Sequence, residues 1–225
     1  MILAIDTATR WAGLALHDGT AVLSEYGWQC HNTHTIELTP AIRDMLAQAE
    51  LAPNELEGIA VAIGPGSYTG LRVGLALAKG MAMANGCALI GVPTLDIVAA
   101  AIGPMTDQLM ITAAAGRRRV CAAVYHWQGK KGWQTKQRPI IASWEQLLAG
   151  IDKPTIFTGE ISQEAAKQIR TANKEFFLLP PAISVRRAGF LAEIGWQRLR
   201  RNQVDDAQTL APIYLKDAAG KDIAA

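Results

Sequence analysis

The sequence has little cysteine. Cys30, Cys87 and Cys121 are far apart, odd in number and without a CxxC pair, which excludes a disulfide framework and a cysteine zinc site and fits a reducing compartment. Charge of one sign is not in excess either: 22 Lys and Arg stand against 20 Asp and Glu, a formal net charge of +2. No global field therefore draws the chain to nucleic acid or an anionic membrane, and any such contact must be a local patch. Long uncharged apolar runs are also missing. The most apolar tract, residues 71–92, is cut by Arg72 and Lys79, short of the ~20-residue span that crosses a bilayer. Met1-Ile-Leu-Ala-Ile-Asp6 shows neither a basic segment nor a small-residue cleavage site, so no export signal is read and a soluble, cytoplasmic protein is expected.

What is present is length and apolar content. At 225 residues, 50% hydrophobic and 19% charged, the chain is no disordered segment and suffices for one large domain or two small packed ones. Residues 2–5, 11–17 and 20–28 read as extended, the last two separated by the hairpin signal Asp18-Gly19, and predict an antiparallel meander. Leu38, Ile42, Met45, Leu46 and Ala49 then give a helical period, with Pro40 requiring a start at Thr39 or a kink. A strand at 59–63, a glycine-rich turn, a helix over 71–85, a strand at 87–92 and a helix from Pro93 through Ala101 follow.

The same order returns in the second half. Strands are predicted at 109–113, 120–127 and 133–141, with Gly129-Lys-Lys-Gly132 at a hairpin tip. A Ser143-capped helix to Leu148, a strand at 155–158, a Ser162-capped helix to about Ala172 and a helix from Ser184 to about Arg200 complete it. Three antiparallel strands followed by alternating helices and parallel strands describe a ribonuclease H-like unit. Two in tandem give the α/β, two-lobed actin-like (ASKHA) plan, with a nucleotide cleft between lobes 1–103 and 104–225. A single doubly wound sheet is the competing plan.

Two segments are candidates for chemistry. Asp6-Thr7-Ala8-Thr9 puts a carboxylate and two hydroxyls at the end of a buried strand, where a carboxylate can orient hydrated Mg²⁺ near phosphates; equally, Asp6 and Thr7 can simply hydrogen-bond the turn. Gly64-Pro-Gly-Ser-Tyr-Thr-Gly70 joins a strand to a helix, where free N–H groups and the helix dipole favour an anion. It matches neither the Walker A nor the Rossmann spacing, and Gly64 and Gly66 can instead serve a tight turn with Ser67 or Thr69 as cap. Asp6, Thr7, Gly64, Gly66 and Ser67 are thus the residues of a weak nucleotide site, if there is one.

The helix after this turn is apolar nearly all round, with Gly70, Gly74 and Ala78 stacked at spacing four. One side can pack on a sheet; the other needs a second helix or another chain, unless the whole helix is internal. His31 and His34 beside Cys30 make too small a set for a metal site. Basic residues cluster at Arg117-Arg118-Arg119, at Lys130-Lys131 and at Arg186, Arg187, Arg198, Arg200 and Arg201, which can touch RNA phosphates or simply form solvated faces.

Residues 2–9 and the run Gly64-Pro-Gly-Ser-Tyr-Thr-Gly-Leu-Arg-Val-Gly-Leu-Ala-Leu-Ala-Lys-Gly-Met-Ala82, with His34-Thr35, Gly91-Val-Pro-Thr-Leu95 and Ala211-Pro-Ile-Tyr-Leu-Lys216, closely resemble the TsaB (YeaZ) family. The resemblance implies a non-catalytic member of the actin-like superfamily. Its partners would be the related subunit TsaD, which supplies the metal site, and the ATPase TsaE; in isolation it would be a homodimer. The complex moves a threonylcarbamoyl group from its adenylate onto N6 of the adenosine beside the anticodon of tRNA. The resemblance also implies helical contacts with TsaD near residues 35–49 and 70–85, placing Leu38, Ile42, Leu46, Leu71, Gly74, Leu77, Ala78 and Met81 at the interface. No cofactor would be required, with ATP or ADP held weakly here or at the complex interface.

Two departures agree with a non-catalytic role. The paralogue has two histidines four apart as metal ligands, whereas only His34 falls in the matching stretch, so no iron site is expected. Related second lobes carry an aspartate at the turn occupied here by Ala113-Ala-Ala-Gly-Arg117, so phosphoryl transfer should be poor. The rival reading is an autonomous actin-like ATPase or small-molecule kinase; a metallopeptidase lacks a ligand set.

Overall fold

The computed structural model describes residues 1–30, 34–116, 119–216 and 222–223. The readings made on His31, Arg117, Arg118 and the His34 side chain lie outside the described residues. Two compact units result: Met1–Ile97 with Arg187–Ile213, and Val98–Arg186 with Tyr214–Ala225.

The first unit contains β1 (Ile2–Asp6), β2 (Trp11–His17), β3 (Val22–Gln29), α1 (His34–Gln48), β4 (Gly58–Gly64), α2 (Tyr68–Asn85) and β5 (Ala88–Pro93), after which α3 (Thr94–Ala100) begins. Its sheet order is β3-β2-β1-β4-β5, with β1–β2 and β2–β3 antiparallel and β1–β4 and β4–β5 parallel. The meander and the parallel continuation are those the sequence predicts. Because side chains alternate along a strand, Leu3 and Ile5 join Leu14, Leu16, Leu38, Met45 and Leu75 on one face, while Ile2 and Ala4 join Ala15, Ala60 and Ile90 on the other. Both faces are covered, which is why β1 reads as an unbroken apolar run.

The second face is covered by α7 (Ala188–Arg200), whose Leu191 and Ala192 are fully buried against it. A β-carbon on Gly195 would come within 2.6 Å of that of Ala60, so the helix lies tight on the sheet. This corrects the expected division at residue 103. Residues 187–213 return to the first unit, because its sheet has a second apolar face to bury. The helix expected from Ser184 starts later, at Ala188 as α7, and a short helix α6 (Pro181–Ser184) precedes it. Glu25 of β3 receives the start of α7, accepting a hydrogen bond from the Gly189 N–H at 2.9 Å and pairing with Arg187. Helix α1 also differs from expectation, running from His34 with Pro40 inside it. Its early turns are held by buried Leu38 and by Glu37, which accepts from the Trp28 indole N–H at 2.8 Å.

The second unit holds β6 (Gln108–Ala114), β7 (Arg119–Trp127), β8 (Trp133–Gln134), β9 (Ile140–Ser143), α4 (Trp144–Ala149), β10 (Thr155–Gly159), α5 (Gln163–Ala172), β11 (Phe176–Leu178) and α6. The sheet order is β11-β10-β6-β7-β8, with β9 also on β7. Met110, Val120, Ala122, Phe157 and Ile169 form its core, and Phe157 meets Phe176 edge-on at 5.3 Å. The single strand expected over 133–141 is two, parted over residues 135–139, where Pro139 cannot donate to a ladder. Short strands β12 (Leu215–Lys216) and β13 (Asp222–Ile223) pair with each other.

Candidate functional site

The five residues proposed for a nucleotide do come together, at the ends of β1 and β4 in the first unit. Asp6 is buried and its Oδ1 accepts from the Ala8 N–H at 2.9 Å, folding residues 6–8 into a turn. Thr7 donates its hydroxyl to the Gly70 carbonyl at 2.7 Å. The Ala8 carbonyl in turn accepts the Ser67 N–H at 2.6 Å, and a β-carbon on Gly66 would overlap that carbonyl. Ser67 caps α2 through its Oγ, which accepts from the Gly70 N–H at 3.3 Å. Gly64 has a φ of +108°, a backbone state that suits glycine. Its other side is closed by Ile213, whose N–H donates to the Ile63 carbonyl at 2.7 Å.

This is a self-satisfied joint. The Ser67 and Gly70 N–H groups, which a phosphate at a helix start would seek, already bond to Ala8 and to the Ser67 hydroxyl. Arg72 and Tyr68, on the first turn of α2, stack with the guanidinium 3.7 Å from the ring centre.

The eight residues expected at a partner interface divide by burial. Leu38, Ile42, Leu46, Leu71, Gly74 and Ala78 lie in the interior of the first unit. Their side chains pack in the chain's own core. Leu77 and Met81 are half-buried beside that core. The helix is not enclosed, however. Ala76, Gly80, Met83 and Ala84 are exposed, Met83 by 68%, and Ile36 at the start of α1 by 72%. Residues 76, 80, 83 and 84 recur at helical spacing, so they form one outward row of apolar residues, flanked on the same face by Arg72 and Lys79. Sequence reasoning missed it, because a helix apolar on every side does not say which side turns inward.

In the second unit the structure adds a group that the sequence did not mark. At the turn that follows β6, Glu160 Oε2 accepts from the Ala114 N–H at 2.9 Å, and the Glu160 N–H donates to the Thr112 carbonyl at 2.9 Å. Glu160 also pairs with Arg186 at 3.5 Å, whose side chain is almost entirely buried. Arg186 is therefore no phosphate-contacting residue. Arg187 pairs with Glu25, and Arg198 bonds the Gly91 carbonyl at 2.6 Å and Asp205 at 3.2 Å, so three of the five arginines in the late basic cluster are engaged within the fold. Burial pushes the Cys121 thiol up to about 12 and raises that of Cys87. Among the described residues no set of three His, Cys, Asp or Glu is placed to hold a metal ion, and no helix is long and apolar enough to cross a membrane.

Residues 28–221 match the family model described as TsaD: tRNA N6-adenosine threonylcarbamoyltransferase. The chain is 31% identical over 219 residues to the tRNA threonylcarbamoyladenosine biosynthesis protein TsaB of Bacillus subtilis (strain 168), covering 96% of this chain and 93% of that relative. The chain belongs to the TsaB family. The Escherichia coli (strain K12) protein of the same name is 31% identical over 169 residues, 75% of this chain and 67% of that one. The solved structure of YeaZ from Pseudomonas aeruginosa superposes with a TM-score of 0.78 at 22% identity, covering 95% of this chain and 99% of that one. The fold is thus the α/β, actin-like (ASKHA) fold that the strand order predicts. The glycine-rich segment 64–70, on which the resemblance drew, is the joint described above.

Proposed function

We propose that the chain acts in tRNA threonylcarbamoyladenosine biosynthesis as a non-catalytic dimerisation subunit. It supports TsaD in transferring the threonylcarbamoyl group to N6 of the adenosine beside the anticodon, with TsaE as the associated ATPase. The observation that carries this reading is the outward stripe of α2, with Met83 68% exposed on a helix whose inner face is already filled. An exposed row of Ala76, Gly80 and Ala84 beside Met83 suits close approach of a second helix, from TsaD in the complex or from another copy of the chain alone. The joint between residues 6–8 and 64–70 supports it further: two donors at the start of α2, the Ser67 and Gly70 N–H groups, are spent internally. No cofactor of its own is needed, any ATP or ADP belongs to the assembled complex, and the work is cytoplasmic, where tRNA is modified.

The experiment is co-purification with TsaD and TsaE, followed by mass analysis of tRNA nucleosides with and without the chain. Omitting the chain should abolish the modification. Ala76→Glu and Met83→Glu, both on exposed positions, should leave thermal unfolding unchanged while abolishing association. Full modification without the chain rejects the role; intact association of both variants rejects the interface. ATP turnover by the chain alone, lost in Asp6→Ala, would favour the autonomous ATPase.

A further inference from the structure

The chain's near-neutral charge hides an uneven distribution. Residues 108–144 contain seven cations, Arg117, Arg118, Arg119, Lys130, Lys131, Lys136 and Arg138, and no Asp or Glu. The rest of the chain is therefore net acidic. Arg186, Arg187 and Arg198 already carry ion pairs, whereas this stretch has no acidic residue of its own to pair with.

The structure gathers four of them on one margin of the second unit. Lys130 and Lys131 are exposed at the tip of the β7–β8 hairpin, which is closed by the Gln128 N–H donating to the Gly132 carbonyl at 2.9 Å. Lys136 and Arg138 are exposed on the connection from β8 to β9. Both of those strands pair with β7, through His126↔Gln134 and Ala122↔Ile140, so the connection follows the same strand. None of the four forms an ion pair among the described residues.

An aromatic platform lies within this cationic margin. Trp127 is 37% exposed and packs edge-on against Trp133, with ring centres 5.6 Å apart at 75°. Trp133 is itself anchored, donating its indole N–H to the Ile102 carbonyl at 3.0 Å. Trp127 is thus held in place with part of its ring in solvent, at little further entropic cost to a stacking partner.

We propose that the β7–β8 hairpin and the 135–138 connection form an RNA-contacting surface, with Lys130, Lys131, Lys136 and Arg138 on phosphates and Trp127 stacked on an unpaired base. Cations neutralise the backbone and an aromatic face accepts any base, the combination by which proteins hold single-stranded RNA. An anionic bilayer fits less well. The other large apolar residue here, Ile140, is 54% exposed but pairs with Ala122, five residues from Trp127. Alternation along β7 puts the two on opposite faces of the sheet, leaving no single apolar plane to insert. The inference rests on the proposed role in tRNA modification and names where this chain touches the substrate.

The test measures binding of labelled tRNA to the full chain, alone and with TsaD and TsaE, from low to moderate salt. Lys130→Glu/Lys131→Glu should weaken binding roughly tenfold and reduce the slope of log affinity against log salt by about 1.5, as expected for two lost phosphate contacts. Trp127→Ala should weaken it at least about fivefold, with Trp127→Phe retaining most of the affinity. Unchanged affinity and slope in the charge-reversed, folded chain overturn the surface, as does stacking-independent behaviour of both Trp127 variants. Binding to anionic phospholipid vesicles that the double variant loses, while its tRNA affinity is unchanged, overturns it in favour of a membrane. A double variant that still joins TsaD and modifies tRNA at unchanged KM rejects the surface and leaves the subunit role standing. If wild-type complex modifies tRNA equally well without the chain, the role itself fails.

Discussion

Thr7 and Gly74 fit as plug and notch: the threonine hydroxyl, donating to the Gly70 carbonyl at 2.7 Å, fills the volume that a β-carbon on Gly74 would take. This contact sets which side of α2 faces the sheet. Since nearly every side of that helix is apolar, hydropathy alone does not choose, and the fit at its first turns does.

Gly74→Ala should therefore destabilise the chain by about 1–3 kcal/mol through overpacking, and Thr7→Ala by about 1 kcal/mol through the lost buried hydrogen bond. The double variant should be more stable than the sum predicts, because alanine at position 7 removes the hydroxyl that the new methyl meets. Urea unfolding of the four proteins measures the coupling; strict additivity would show that the two residues do not compete for space.

Two glycines of α2 and its preceding turn should respond in opposite directions. Gly66→Ala sets a methyl against the Ala8 carbonyl oxygen, which belongs to backbone and cannot swing away, and should cost more than about 2 kcal/mol or prevent folding. Gly80 meets nothing within 4 Å, so Gly80→Ala should raise stability by about 0.5–1 kcal/mol through helix propensity. Thermal unfolding compares them directly.

Glu25 should behave as a remote cap of α7. Glu25→Ala removes the acceptor of the Gly189 N–H and should cost about 1–2 kcal/mol. Arg187→Ala should cost under about 1 kcal/mol, since its guanidinium is largely in solvent. Equal losses in the two variants, by chemical denaturation, would locate the effect in the ion pair instead.

Cys121 should be silent toward thiol reagents in the native protein, with its thiol pushed up to about 12 by burial. Half-buried Cys87 should label slowly, and all three cysteines only on unfolding, as dye titration at mildly alkaline pH can count. The sign for stability follows. The native thiol holds its proton where the unfolded one has lost it, so this contribution is intact below the ordinary thiol pKa and is lost between about pH 9 and pH 12. Cys121→Ala should flatten that alkaline decline.

The strand order of each unit was legible because Ile2–Asp6, Gly58–Gly64 and Gln108–Ala114 carry the short apolar runs of buried strands, with turn residues at their ends. The chemistry-bearing turns were legible as candidates, since Asp6, Ser67 and the glycines are unusual at such positions. Their use was not, because whether the Ser67 N–H meets a phosphate or Ala8 is decided by a loop 59 residues away along the chain. Distance hid the rest as well. Glu25 caps a helix that starts at residue 188, and Glu160 fills in at a turn lacking its own carboxylate. Arg186 looked like part of a basic surface and is interior, a reversal that only a partner far off in sequence can cause.

The return of residues 187–213 to the first unit has an outcome for synthesis. The sheet β11-β10-β6-β7-β8 and α6 have all been translated by residue 186, whereas the strand face around Ala4, Ala15 and Ala60 waits uncovered until Leu191 and Ala192 follow. A nascent chain stopped anywhere before α7 leaves that apolar face open to whatever chaperone or protease meets it.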